Sequence, residues 1–146
     1  MSMIKARLRD FKLSGIYNSY EERIKYATDK SLSYEEFLEL ILEDEVNNRK
    51  DNSYKKRYSK AKFPYSKKIE DFDLSFQPSI NKRTVNDICT CQFVEKNHNV
   101  VFIGSPGTGK THLSIGIGMK ALAKGYKVLF TQVSEMLQSL YFSKAD

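Results

Sequence analysis

Only two cysteines, Cys89 and Cys91, occur in the chain, and they stand two residues apart. A zinc site would need two further ligands at suitable spacing, and the two histidines, His98 and His112, are each isolated from a second ligand pair. The cysteines therefore read as buried structural thiols rather than as metal or redox groups. Long apolar runs are absent too. The longest are strand-sized, well short of the roughly 20 residues that a membrane helix needs. The start, Met1 to Arg7, carries charges but no apolar stretch of the signal-peptide kind. The expected compartment is the cytoplasm, with no membrane partner. Repeats and low-complexity tracts are missing as well. At 146 residues, 40% hydrophobic and 29% charged, the chain reads as one ordinary domain or as a small domain plus part of another.

What the chain does have is a glycine-rich run. Gly104, Ser105, Pro106, Gly107, Thr108, Gly109, Lys110 and Thr111 match the pattern G-x-x-x-x-G-K-[ST] at every fixed position. Residues 99–103 read as a buried strand before it and residues 112–124 as a helix after it, the strand, loop, helix order that phosphate binding requires. Gly104, Gly107 and Gly109 lack a Cβ, so the backbone there can take φ > 0 and turn its N–H groups around a phosphate. The helix start adds unsatisfied N–H groups and the positive end of its dipole. Lys110 is placed to reach the β- and γ-phosphates, and the Thr111 hydroxyl to ligate Mg²⁺. His112 closes the run of candidate cofactor-binding residues, its own role reading as that of a helix-packing or solvent residue rather than a catalytic base. A dinucleotide fingerprint is excluded, because the position three after Gly109 is His112 and not glycine. The competing reading is an ordinary glycine-rich turn.

Charge is unevenly spread. Between Arg49 and Lys68 nine bases face one acid, Asp51, a local balance of +8 inside a net charge of +6, so the remainder sums to −2. Such a segment is the electrostatic footprint expected of a polyanion-binding surface. At 100° per residue, Arg49, Lys56 and Lys60 share one helix face and Tyr54, Tyr58 and Ala61 the opposite one. Arg49, Lys56, Arg57 and Lys60 are accordingly the candidate DNA contacts, against the alternative of a solvated face with no ligand.

In chain order, residues 1–29 read as two short helices interrupted near Gly15. A longer helix follows from Ser33, where Ser33 and Glu36 form a capping box. Phe37, Leu38, Ile41 and Leu42 give that helix a wide apolar stripe that must bury against another helix. Pro64 ends it. The expected domains are 1–63, helical and carrying the basic stretch; 64–80, a connector packing through Tyr65, Phe72 and Phe76; and 81–146, the start of a nucleotide fold. In that last part a short helix spans 81–89, Gly116 and Gly118 imply close approach of the post-loop helix to a sheet, and Gly125 ends that helix. Residues 127–131 read as a second parallel strand and 134–142 as a helix. The fold class expected is thus an α/β P-loop NTPase with a parallel sheet, incomplete in this chain, behind a small all-α domain.

Several landmarks in order, Leu13-Ser14-Gly15, residues 33–38, Phe63-Pro64-Tyr65, residues 69–73, residues 76–79 and above all residues 99–114, make the chain resemble the IstB-like ATP-binding proteins. These helpers of insertion-sequence transposition, with the related DnaC-type helicase loaders, fall within the AAA+ ATPases. The resemblance implies ATP and Mg²⁺ as cofactors, DNA and a transposase as partners, and a ring or filament of subunits as the working state of the full-length family. It implies an ATP-binding accessory protein of DNA transposition, with a helicase loader of DNA replication or a truncated, non-hydrolysing nucleotide-binding fragment as alternatives. A small-molecule P-loop kinase fits less well, because it would not explain a basic helical domain ahead of the loop. The family continues into a Walker B strand, a sensor and an arginine finger that this sequence does not contain. The expectation is binding without turnover, no catalytic residue in the chain, and a nucleotide fold less stable than the helical part. Residues 69–72 are the guess for adenine contacts.

Overall fold

Ser33 and Glu36 close the capping box their spacing announces. The Ser33 N–H donates to Glu36 Oε2 at 2.7 Å and the Glu36 N–H to Ser33 Oγ at 3.2 Å, starting a helix of 28 residues, Tyr34–Ala61. The computed structural model describes residues 3–76 and 80–143, the side chain of Phe76 excepted. Residues 77–79, and Phe76 as a packing side chain, therefore lie outside the described residues. Seven α-helices are described: α1 (Met3–Asp10), α2 (Ser14–Lys30), α3 (Tyr34–Ala61), α4 (Lys82–Cys89), α5 (Gln92–Glu95), α6 (Lys110–Ala123) and α7 (Val133–Phe142), with 3₁₀ turns at Ile69–Asp71 and Leu74–Phe76. None is long and apolar enough to cross a membrane. The chain divides into two compact units, Met1–Lys55 and Lys56–Asp146.

The first unit is held by one buried carboxylate. Glu45 of α3 is 5% exposed, and its Oε2 accepts the N–H groups of Gly15 and Ile16 at 2.7 and 3.3 Å. These belong to the first turn of α2, whose N–H groups have no intrahelical acceptor. Leu13, at the cap position, offers no side-chain hydrogen bond, so a neighbouring helix supplies the cap. Gly15 makes this possible: a Cβ there would lie 2.6 Å from the Glu45 Cα. Arg23 adds a two-pronged bond to Asp44, both contacts at 2.8 Å. The apolar stripe of α3 is divided. Phe37 and Ile41 are half-buried, whereas Leu38 and Leu42 remain exposed, so the expectation that all four bury is corrected for those two.

The second unit is built around α6, in which Leu113, Ile115, Ile117, Ala121 and Leu122 are buried. Residues on several sides of the helix are covered, as expected of a central helix rather than a surface one. Its two internal glycines serve close approach, but not to a sheet. A Cβ at Gly116 would meet Ile69 Cδ1 at 2.7 Å and the Ile69 backbone nitrogen at 3.1 Å, and one at Gly118 would meet Phe63 Cζ at 2.8 Å. Gly125, at φ +96°, ends the helix in a paired bond pattern, its own N–H to Leu122 O and that of Tyr126 to Ala121 O, each at 3.0 Å. Gly116→Ala is expected to lower stability by up to about 2 kcal/mol, because overpacking against a backbone atom costs about 1–3 kcal/mol and the helix-propensity gain returns about 1. Chemical denaturation checks this, and an unchanged or raised midpoint would refute it.

The expected α/β fold with a parallel sheet is corrected by the structure. No strand is formed among the described residues, and 99–103 and 127–131 both lack a ladder. Side-chain exposure nevertheless alternates there: Val100 and Phe102 are half-buried beside exposed Val101 and Ile103, and Val128 and Phe130 flank exposed Leu129. The apolar pattern thus selected an inward side, but a strand also needs a neighbouring backbone about 4.8 Å away. The Phe130 N–H finds the Ala61 carbonyl instead, at 2.8 Å, at the last residue of α3. Strand propensity reports fit to a paired, half-buried surface, and here the pairing is missing.

Candidate functional site

The run from Gly104 to Thr111 leads directly into α6. Gly109 is the residue before the helix, at φ +85°, and Gly107 stands at φ +80°. Gly104 is not in the positive-φ region; its missing Cβ instead leaves room for Thr108, whose Oγ1 would lie 3.2 Å from that Cβ and donates to the Ser105 carbonyl at 2.9 Å. Gly109 is required twice over, since a Cβ would also come 2.4 Å from Phe72 Cε2. The connector thus presses an aromatic ring onto the loop. Phe72 meets the His112 ring edge-on, centroids 5.2 Å apart, and His112 Nε2 lies 2.8 Å from the Lys68 carbonyl. A carbonyl only accepts, so Nε2 carries the proton. His112 therefore ties the connector to the first turn of α6.

Lys110 folds back over the loop. Its Nζ donates to the carbonyls of Gly104 and Ser105 at 2.8 and 2.7 Å. Beside it a cavity of about 570 Å³ runs between α4 and residues 100–105, a volume in the ordinary range for small-molecule sites. Its lining combines polar Ser105, Thr108 and Lys110 with apolar Val85, Ile88 and Leu113. A second cavity, about 660 Å³, is lined by Ile69, Phe72, Lys82, Cys89 and Lys120. Residues 69–72 thus sit at that second hollow while approaching Gly109, just before α6, and Gly116 within it. Lys120 pairs with Glu70 across it, which raises the lysine and lowers the carboxyl from their usual values.

Thr111 is exposed on the first turn of α6. Among the described residues no group of three or more His, Cys, Asp or Glu could hold a metal. That donor set suits Mg²⁺ only as a shared ion, held by one hydroxyl, water and phosphate oxygens, which is how Mg²⁺ is commonly bound. Cys89 and Cys91 are both free, and burial pushes their thiols up. The thiol form is the unreactive one.

The basic candidates are placed differently from one another. Arg49 is exposed and pairs with Glu45 one turn earlier, at 2.7 Å. Arg57 is half-buried, its Nε donating to the Leu122 carbonyl at 3.3 Å. Lys56 and Lys60 are exposed, while Tyr54 and Tyr58 are half-buried and Ala61 fully buried. Sequence reasoning missed Asn81 and Thr84 beside the cavity and the Lys68 carbonyl under His112. No local signal pointed to them, because each is brought in from another part of the chain.

Residues 6–146 match the family described as IstB-like ATP binding protein. A protein of Pseudomonas aeruginosa named for ATP binding in insertion sequence IS21 is 34% identical over 146 residues, covering all of this chain and 55% of the relative. Its counterpart for IS5376 in Geobacillus stearothermophilus is 39% identical over 116 residues, 80% of this chain and 46% of the relative. The one for IS232 in Bacillus thuringiensis is 31% identical over 143 residues, 98% of this chain and 57% of the relative. The chain spans about half the length of the curated relatives it matches. With nearly its whole length matched, the chain belongs to the family of IstB-like ATP-binding proteins.

Proposed function

We propose that this chain is an ATP-binding accessory protein of DNA transposition that uses residues 104–112 for the nucleotide, DNA as a second ligand, and a transposase as protein partner. The observation that carries the reading is the loop before α6. Two positive-φ glycines, a helix start and Lys110 converge there beside a cavity of suitable size. Backbone N–H groups of the loop and the first turn of α6 supply donors for phosphate oxygens. Lys110 exchanges its two carbonyl acceptors for phosphate, and the Thr111 hydroxyl is the protein's contribution to Mg²⁺, which neutralises phosphate charge when bound. His112 and Phe72 hold the connector against the loop, so that the loop is shaped before ligand arrives. In calorimetric titration MgATP should bind saturably with a stoichiometry of one and be displaced by MgADP but not by adenosine. Absence of saturable binding, or displacement by adenosine at the same concentration as MgADP, would overturn the reading.

Every relative named above takes its name from an insertion sequence, which favours transposition over helicase loading. For DNA, Lys56 and Lys60 are the exposed pair among the four candidate bases, since Arg49 and Arg57 already hold partners. Binding should tolerate any sequence and weaken with salt, log K against log[salt] sloping at about −0.9 for each phosphate neutralised. Lys56→Gln with Lys60→Gln should flatten that slope by up to about 2. An unchanged slope would assign these lysines to a solvated face instead.

A further inference from the structure

Beyond nucleotide and DNA, α3 presents three parallel rows of side chains at a spacing of four residues within the first unit. Phe37, Ile41 and Glu45 form the row that is half-buried or buried. Beside it run Tyr34, Leu38, Leu42 and Val46, which are 95, 53, 49 and 48% exposed. Next comes Glu35, Glu39 and Glu43, all exposed. Residues four apart lie on one inclined ridge of a helix, so these rows are ridges of the kind that interdigitate in helix packing. An unbroken apolar ridge of about 18 Å, edged on one side by acids, is more organised than the scattered exposed side chains normal to a protein surface.

We propose that this ridge is a docking surface for an amphipathic helix from a partner protein, one that carries an apolar ridge flanked by lysine or arginine. The apolar row supplies the area, and the row of Glu35, Glu39 and Glu43 selects the sign of the partner. A second copy of this chain is a poorer occupant. Two copies of the ridge packed antiparallel would set their acidic rows against each other, and packed parallel would leave each row opposite Phe37, Ile41 and Glu45, which offer it no cation. The surrounding charges also separate this face from α7, whose exposed Met136, Leu137 and Leu140 have only Glu135 beside them on that helix and so carry no information about a partner.

The test uses two labelled helical peptides of 18 residues, each with leucine every fourth residue and an adjacent row of either lysine or glutamate, with fluorescence anisotropy as the readout. The lysine peptide should bind the full chain at least tenfold more tightly than the glutamate peptide and weaken as salt is raised. Leu38→Ser with Leu42→Ser, at positions already in solvent, should cost tenfold or more. Replacing Glu35, Glu39 and Glu43 by Gln should remove most of the difference between peptides while leaving the far-ultraviolet spectrum unchanged. Equal binding of the two peptides, binding of neither, or undiminished binding by the double serine variant would overturn the proposal. Self-association of the parent chain in sedimentation, abolished by the same serine pair, would also overturn it and name a second copy as the occupant.

Discussion

Lys110→Ala is expected to weaken MgATP binding by about 10- to 100-fold with little change in stability. The ammonium now sits on the Gly104 and Ser105 carbonyls at the edge of the loop. Both carbonyls belong to exposed residues, so water replaces the lost donor and the fold gives up little. In the nucleotide complex the same ammonium would face phosphate oxygens. A hydrogen bond to a charged group contributes about 1.5–3 kcal/mol, and each 1.4 kcal/mol is a factor of ten. Lys110→Arg should rescue only partly, because a planar fork on a longer stem does not occupy the place of a compact, rotatable ammonium. Calorimetry at matched salt decides the matter. Equal affinity of parent and alanine variant would remove Lys110 from the site.

The second large effect falls on stability. Glu45→Ala should destabilise the first unit by about 2–4 kcal/mol, since each buried N–H left without an acceptor costs about 1–3 kcal/mol and Gly15 and Ile16 both lose theirs. The Arg49 end adds little, its side chain being 62% exposed and free to turn to water. Glu45→Gln, which keeps an acceptor oxygen, should cost less. Charge enters through pH. Burial pushes the Glu45 carboxyl up, but the bonds from Arg49, Ile16 and Gly15 outweigh it and hold the group below its ordinary value of 4.5. The Arg23 guanidinium does the same for Asp44, below 3.8. A carboxylate with a lowered folded pKa contributes stability that is present above its unfolded value and is lost as pH falls through the folded one. Stability should therefore decline from about pH 4.5 downward, and Glu45→Gln should remove part of that decline. Thermal melts followed by circular dichroism between pH 7 and 3 test both statements. A Glu45→Ala variant melting with the parent, or a glutamine variant as acid-sensitive as the parent, would refute the cap.

Some features were legible because their partners are close in sequence. The capping box needs only Ser33 and Glu36, three residues apart. The end of α6 needs only Gly125 and the turn before it. The motif at Gly104 to Thr111 sets its own glycine geometry at Gly107 and Gly109 and the helix start at Lys110. The family followed from several such landmarks in a fixed order. Local patterns of this kind are written in neighbouring residues, and a single chain displays them.

Other features waited for tertiary structure. Nothing beside Glu45 in the sequence marks its role, and only folding carries it to the start of α2, 30 residues back in the chain. Gly116 and Gly118 promised a close neighbour without naming it, and the neighbours are Ile69 and Phe63 rather than a sheet. Arg57 belongs to the basic stretch in the sequence, and only the fold shows its bond to the Leu122 carbonyl, half-buried against the end of α6. The stretches at 99–103 and 127–131 carry the apolar pattern of strands and alternate in exposure as strands do, yet they form no ladder. A side-chain pattern chooses which face turns inward, because burial is a property of each residue. A sheet is a relation between two backbones, and whether a second backbone lies alongside is decided by the packing of the whole chain.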